Sequence, residues 1–131
     1  MRLLLDTHIA LWAVSSDKRL SKRAAALAMD RRNEVYVSAA SIWEISIKHS
    51  QASGRRRDMI VSGRKALDLF GDADFEILPI SAEHAAAVDD LPLLHGDPFD
   101  RMIVAQAITE PLRLVTHDET LKAYSDLILI V

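Results

Sequence analysis

Cysteine is absent from this sequence of 131 residues, which excludes disulfide bonds and thiolate zinc sites. Long hydrophobic runs are absent too. The longest, Ile9–Val14 and Ala24–Met29, have six residues each, whereas a membrane helix needs about 20. Asp6 interrupts the first apolar segment too early for a secretory signal. We therefore expect a protein of the reducing cytoplasm that has no membrane partner.

Positive charge is also in short supply, with 16 basic residues against 19 acidic ones and a net charge of −3. A nucleic acid would have to be attracted locally, because the whole molecule has no positive field. No stretch rich in glycine, serine or proline divides the chain, and it contains no internal repeat. With half of its residues hydrophobic, the chain is expected to form a single domain over residues 1–131.

The order of apolar segments predicts the fold class. Five short aliphatic runs are predicted strands: Leu3–Leu5, Val35–Val37, Phe75–Leu78, Leu112–Val115 and Leu127–Val131. Consecutive apolar positions are typical of strands covered on both faces, as in a parallel sheet. The segments between them that predict helices are Ser21–Arg32, Ser41–Ser50, Ser81–Leu91 and Pro98–Thr109. We therefore expect a three-layer α/β domain, with a mainly parallel sheet of about five strands flanked by helices.

Several acidic residues fall where such folds bind ligands, beyond the carboxyl ends of the strands. Asp6 directly follows the first strand, and Asp118 stands three residues after Val115. Glu44 is expected in the first turn of the helix after the second strand, and Asp100 opens the helix Pro98–Thr109. Parallel strands end at a common edge, so these carboxylates could converge there.

Helix capping is a simpler explanation for each of these acids. Ser41 and Glu44 have the spacing of a capping box, as do Thr116 and Glu119. Asp97, followed by Pro98, has the form of a helix N-cap, and Asp100 would then lie in the first turn.

Helix capping does not fully explain two of the acids, because a charged carboxylate in an apolar segment also requires a partner or a cavity. The helix that follows Asp100 is apolar nearly all round, and Asp6 lies between an aliphatic strand and the run Ile9–Val14. Arg101 should point elsewhere on its helix. Carboxylates about 4 Å apart repel by roughly 4 kcal/mol at an effective dielectric near 20, so a cluster would have to protonate or share a cation. Oxygen ligands alone favour Mg²⁺ or Mn²⁺, which suits phosphate chemistry.

Taken together, four blocks of the sequence resemble the PIN domains, and more narrowly the VapC-type toxins of bacterial toxin–antitoxin pairs. The blocks are Leu3-Leu4-Leu5-Asp6-Thr7, Ser41-Ile42-Trp43-Glu44, Asp97-Pro98-Phe99-Asp100-Arg101 and Thr116-His117-Asp118. The resemblance spans the chain from Met1 to about Tyr124. It implies a metal-dependent ribonuclease that hydrolyses RNA phosphodiesters and leaves 5′-phosphate and 3′-hydroxyl ends. It also implies a small antitoxin as partner and a homodimer.

The resemblance also assigns roles to individual residues. Asp6, Glu44, Asp100 and Asp118 match the family's catalytic acids, which hold Mg²⁺ or Mn²⁺, Glu44 directly or through water. Asp97 matches an additional acid of some members, although N-capping is the simpler role for it. Thr7 and Thr116 fall where a hydroxyl often orients a carboxylate or a water.

A basic segment follows the second block. Residues 48–65 contain six basic side chains against the single acid Asp58, a local balance of +5. Lys48, Arg55, Arg56 and Arg57 are candidates for RNA-backbone binding, and a solvated surface or an antitoxin-docking segment would explain the same charges. His95 and His117 stand within two residues of candidate acids, but no His-x₃-His pair supports a zinc site.

Two rival functions remain open at this point. An Asp/Mg²⁺ phosphotransfer domain also places acids at parallel strand ends. However, the phosphatase pattern requires an acid where His8 stands, and a receiver requires a lysine after the strand Leu112–Val115. A non-catalytic interaction protein would use the same acids as helix caps. The runs Ile9–Val14 and Ala24–Met29 would serve equally as a dimer contact or as core.

Overall fold

A computed structural model describes residues 1–51 and 61–131 of the chain. Its strands, in chain order, are β1 (Arg2–Leu5), β2 (Glu34–Ser38), β3 (Glu76–Leu78), β4 (Arg113–Thr116) and β5 (Ile128–Ile130). Its α-helices are α1 (Thr7–Ser15), α2 (Lys22–Met29), α3 (Ala39–Gln51), α4 (Gly63–Asp72), α5 (Ala82–Ala87) and α6 (Pro98–Thr109). Short 3₁₀ helices cover Val88–Asp90 and Glu119–Tyr124. None of the helices described is long and apolar enough to cross a membrane.

The five strands form one parallel sheet in the order β3-β2-β1-β4-β5. This confirms the predicted α/β class and the five predicted strands. β1 lies at the centre because the chain first adds β2 and β3 on one side and then crosses to add β4 and β5 on the other. The strand order therefore reverses between β1 and β4, and a crevice opens at the carboxyl ends of strands at such a point.

Both faces of the sheet are covered, as the consecutive apolar residues predicted. Leu3 and Leu5 of β1 belong to a core cluster with residues of α1, α2 and α4, whereas Leu4 faces a second cluster built largely on α6. All three leucines are fully buried. Residues of the runs Ile9–Val14 and Ala24–Met29 contribute to the first cluster, although Met29, at the end of the second run, is 57% exposed.

A buried hydrogen-bond network fixes α3 against α6 and thereby the distance between the acids that they carry. The Ser38 hydroxyl accepts the Ala40 N–H at the start of α3 and donates to Oε1 of Gln106 on α6 at 2.5 Å. The Gln106 amide in turn donates to the carbonyl of Pro79. Ser38 and Gln106 are fully buried, so each bond satisfies groups that water does not reach.

Candidate metal centre

Acidic residues gather in a cleft at the carboxyl ends of β1 and β4. The cleft has a volume of about 530 Å³. The residues that line it are Asp6, Thr7, His8, Glu44, Lys48, Asp97, Asp100, His117, Asp118, Glu119 and Thr120. All four predicted catalytic acids and Asp97 therefore lie on one cleft, at the point where the strand order reverses.

Asp6 is held rigidly at the end of β1. Its backbone N–H donates to the carbonyl of Val115 on β4 at 3.0 Å. One carboxylate oxygen accepts the His8 N–H at 2.9 Å and so caps α1, and the other accepts the Thr116 hydroxyl at 2.6 Å. Each oxygen has a second lone pair, and Asp6 is 7% exposed. The capping role and a ligand role are therefore compatible in the same side chain.

The two predicted supporting threonines both make buried contacts. Thr116 donates to Asp6 and also accepts the Asp118 N–H at 3.0 Å, so its hydroxyl joins two of the acids. The capping box expected for Thr116 and Glu119 is therefore wrong, because Asp118 caps the 3₁₀ helix instead. The Thr7 hydroxyl donates to Oγ of Ser41 at 2.8 Å and ties α1 to α3.

Asp97 and Asp100 occupy the start of α6. A single oxygen of Asp97, Oδ1, accepts the N–H groups of Phe99 and Asp100, which confirms the predicted N-cap. Asp100 lies one turn further, in the strongly apolar helix. As expected, Arg101 points away from the cleft and binds carbonyl groups of Val88 and Pro92. Arg101 therefore does not compensate the negative charge of Asp100.

Glu44 is buried in the interior of α3 beside a lysine. The expected capping box with Ser41 is wrong because α3 begins at Ala39, before Ser41. The Ser38 hydroxyl accepts the N–H of Ala40 in the first turn. Glu44 is 4% exposed, and its Oε2 lies 2.8 Å from Nζ of Lys48, one turn along the helix. This pair was not among the predicted contacts, although the spacing of four residues is the usual one for a helical ion pair.

Repulsion within the cluster affects Asp100 most. Burial, reinforced by the negative charges of Asp97, Asp6 and Glu44, raises the pKa of Asp100 to about 7. Asp118 behaves in the opposite way. Partial burial opposes its ionisation, but the hydroxyl and the N–H of Thr120 both donate to its Oδ1 and lower its pKa below the ordinary value. The cleft therefore contains one acid that ionises readily, Asp118, and one whose ionisation is opposed by its surroundings, Asp100.

His95 lies against both of these acids. Its Nε2 is 3.6 Å from Oδ2 of Asp100 and 3.4 Å from Oδ2 of Asp118. Within the described residues, His95, Asp100 and Asp118 form a group of three side chains whose potential metal-ligand atoms all lie within 4.8 Å of one another. The sequence gives no spacing motif for this contact, because His95 approaches the two acids through the turn before α6.

The model of the PIN domain family matches residues 3–127. The chain belongs to the PIN domain family. Ribonuclease VapC22 of Mycobacterium tuberculosis is 32% identical over 123 residues, which are 93% of this chain and 91% of that protein. The resemblance drawn from the four sequence blocks is thereby confirmed.

Solved structures confirm the PIN fold. One is VapBC2 of Rickettsia felis, bound to a DNA fragment from the promoter, which aligns with a TM-score of 0.70 at 21% identity. The alignment covers 100% of this chain and 98% of that one. A toxin–antitoxin complex from Klebsiella pneumoniae aligns with a TM-score of 0.62 at 21% identity, over 97% of this chain and 95% of that one. At this identity the likeness concerns the fold alone.

The side chains of this PIN domain suit a hard divalent cation. Carboxylate oxygens, which Mg²⁺ and Mn²⁺ prefer, line much of the cleft, and Lys48 is a cationic side chain among the described residues that line it. Burial and then the neighbouring negative charges raise the pKa of Asp100, and a bound cation would favour its ionised form. The residues present therefore fit the metal that the family resemblance implies.

The predicted RNA-binding residues fall into two groups. Lys48 lies on α3, lines the cleft and pairs with Glu44. Arg55, Arg56 and Arg57 lie outside the described residues.

Proposed function

We propose that this protein is a Mg²⁺- or Mn²⁺-dependent endoribonuclease and the toxin of a toxin–antitoxin pair. The observation that carries the proposal is the convergence of Asp6, Glu44, Asp100 and Asp118 on one cleft at the end of a parallel sheet. Membership of the PIN family and the similarity to a ribonuclease over most of both chains support it.

The roles of the acids follow from their surroundings. Asp6, Asp100 and Asp118 would hold the ion, since each retains free lone pairs toward the cleft after the hydrogen bonds described above. Glu44, already paired with Lys48, would act at the edge of the site or through a water. A bound Mg²⁺ or Mn²⁺ would neutralise charge on the phosphate and lower the pKa of an attacking water.

Binding of RNA requires basic groups beside the acids. Lys48 is placed to approach a phosphate oxygen at the rim of the cleft, and Arg55, Arg56 and Arg57 would extend this contact along the backbone. Replacing the three arginines with alanine should flatten the salt dependence of RNA binding. An unchanged slope would assign the segment to another role, such as antitoxin docking.

An antitoxin partner is proposed on two grounds. The solved structures that align with the chain include toxin–antitoxin complexes from Rickettsia felis and Klebsiella pneumoniae. In addition, the surface exposes large apolar side chains, among them Trp43 at 59% exposure and Leu93 at 91%. We also propose a homodimer, as the family resemblance implies.

Cleavage of RNA by the purified protein tests the activity. We expect Mg²⁺ or Mn²⁺ to support cleavage with 5′-phosphate products, EDTA to abolish it, and Asp6→Ala, Asp100→Ala and Asp118→Ala to be inactive but folded. Asp68→Ala, an exposed acid on α4, is the matched control and should cleave normally. Full activity of a clean Asp100→Ala preparation would refute the site assignment. Metal binding without any cleavage would favour the non-catalytic alternative.

A further inference from the structure

The hydrogen bonds of His95 define which of its ring nitrogens carries the proton. Nδ1 accepts the backbone N–H of Asp97 at 3.1 Å. A nitrogen that accepts an N–H carries no proton of its own, so the hydrogen bond to Nδ1 leaves Nε2 as the N–H group of the ring. That N–H is the group that lies between Asp100 and Asp118, at 3.6 and 3.4 Å from their Oδ2 atoms.

This tautomer separates two roles that His95 could have. A histidine that binds a metal through Nε2 presents a lone pair there and carries its proton on Nδ1. The Asp97 N–H blocks that arrangement, because Nδ1 cannot both accept its bond and carry a proton. In this structure Nε2 is therefore a donor toward the carboxylates.

The surroundings of Asp118 make this donor effective. The hydroxyl and the N–H of Thr120 hold Oδ1 of Asp118, so its Oδ2 faces Nε2 of His95. The side chain of His95 is 22% exposed, so it is partly shielded from solvent beside the two acids. The Nε2–H group in this position faces both Oδ2 atoms, at 3.4 Å from Asp118 and 3.6 Å from Asp100.

We propose that His95 is a positioning residue that holds Asp100 and Asp118 in place for the divalent ion through its Nε2–H. The inference rests on the metal site of the proposed function and deepens it. Donors that orient ligating carboxylates typically contribute 10- to 100-fold to metal affinity or activity.

Two substitutions separate positioning from support of the turn before α6. Glutamine places an amide N–H near the position of Nε2, so His95→Gln keeps the donor. Asparagine reaches only the position of Nδ1, so His95→Asn keeps the acceptor for the Asp97 N–H and loses the donor. His95→Ala loses both, and circular dichroism and thermal melting in EDTA report whether each variant folds.

The test is the affinity for Mn²⁺, measured from the electron paramagnetic resonance signal of the free ion. We expect His95→Ala and His95→Asn to bind Mn²⁺ about tenfold more weakly than the wild type, and His95→Gln to be close to the wild type. Rates of RNA cleavage should recover in both weak binders at saturating Mn²⁺.

Two results would overturn the proposal. Wild-type affinity in His95→Asn would show that the residue only supports the turn. Nitrogen coupling to the bound Mn²⁺ in pulsed spectra of the wild type, lost in His95→Ala, would show that His95 is a ligand. If the wild type bound Mn²⁺ but did not cleave RNA, the proposed nuclease activity would be refuted. The Mn²⁺ affinities of the variants would still decide the role of His95. A wild type that binds no Mn²⁺ would refute both.

Discussion

At the scale of single residues, ionised carboxylates in the cleft lower the stability of the metal-free fold. Asp100 sits in the first turn of a largely buried helix, near Asp97, Asp6 and Glu44, and its pKa is raised to about 7. The folded, metal-free protein therefore keeps a proton on Asp100 that the unfolded chain releases near pH 4. Such a group stabilises the fold at low pH, and that contribution is lost as the pH rises through 7.

Removing the charge of Asp100 should stabilise the metal-free protein. We expect Asp100→Asn to have a free energy of unfolding on the order of 1–3 kcal/mol above the wild type at pH 8 in EDTA, and the difference to shrink as the pH falls to 5. Urea unfolding at pH 8, 6.5 and 5 measures this. Asp68→Asn removes an exposed charge on α4 and should show little pH-dependent difference. A gap that is constant with pH would contradict the ionisation argument.

Lys48 compensates the buried charge of Glu44. The side chain of Glu44 is 5% exposed, so Lys48→Met would leave a carboxylate with little access to water. We expect a loss of about 1–3 kcal/mol in urea unfolding, which a second change, Glu44→Gln, should largely restore. Arg2→Met breaks a pair with Glu34 whose side chains are 46% and 64% exposed, and should cost less than about 1 kcal/mol. Equal losses in the two single variants would argue against a buried pair.

At the scale of elements, the sequence predicts the sheet better than the helices. The strands are short aliphatic runs buried on both faces, and this pattern is visible without any tertiary information. α4 was missed because it buries few side chains: Ala66 and Phe70 face the core, whereas exposed polar residues occupy much of the helix. The start of α3 was misplaced because Ser38, at the end of β2, supplies the first hydrogen bond instead of Ser41.

The close approach of α4 to α3 depends on Gly63. A methyl group at this position would overlap the Ser46 hydroxyl and lie 3.1 Å from the carbonyl oxygen of Ile42. We expect Gly63→Ala to destabilise the protein by about 1–3 kcal/mol, because rotation of Ser46 relieves only part of the overlap. Gly71→Ala, on the same helix, meets nothing within 4 Å and should be neutral or stabilising by up to about 1 kcal/mol. Thermal melting of both variants compares them directly, and a neutral Gly63→Ala would show that the two helices can separate without cost.

At the scale of the whole molecule, the site exists because of the order of the strands. β1 and β4 are more than 100 residues apart in sequence but adjacent in the sheet, so Asp6 and Asp118 meet through the Thr116 hydroxyl. Strand-end positions predicted this convergence because parallel strands share one edge. They could not predict the contacts of His95 or the burial of Glu44, since these depend on a turn and on the depth at which α3 packs.

A cluster assembled in this way should couple metal binding to the stability of the whole fold. An ion that binds only the folded state at 100 times its dissociation constant adds about 2.7 kcal/mol to the free energy of unfolding, so millimolar Mn²⁺ should raise the melting temperature of the wild type by several degrees. Asp118→Asn should lose most of this shift. Asp97→Asn should keep it, because Asp97 is the N-cap of α6 and asparagine caps a helix as well as aspartate does. If Mn²⁺ left the melting temperature of the wild type unchanged, the acids would act only as helix caps. If Asp97→Asn lost the shift in melting temperature, Asp97 would be a metal ligand.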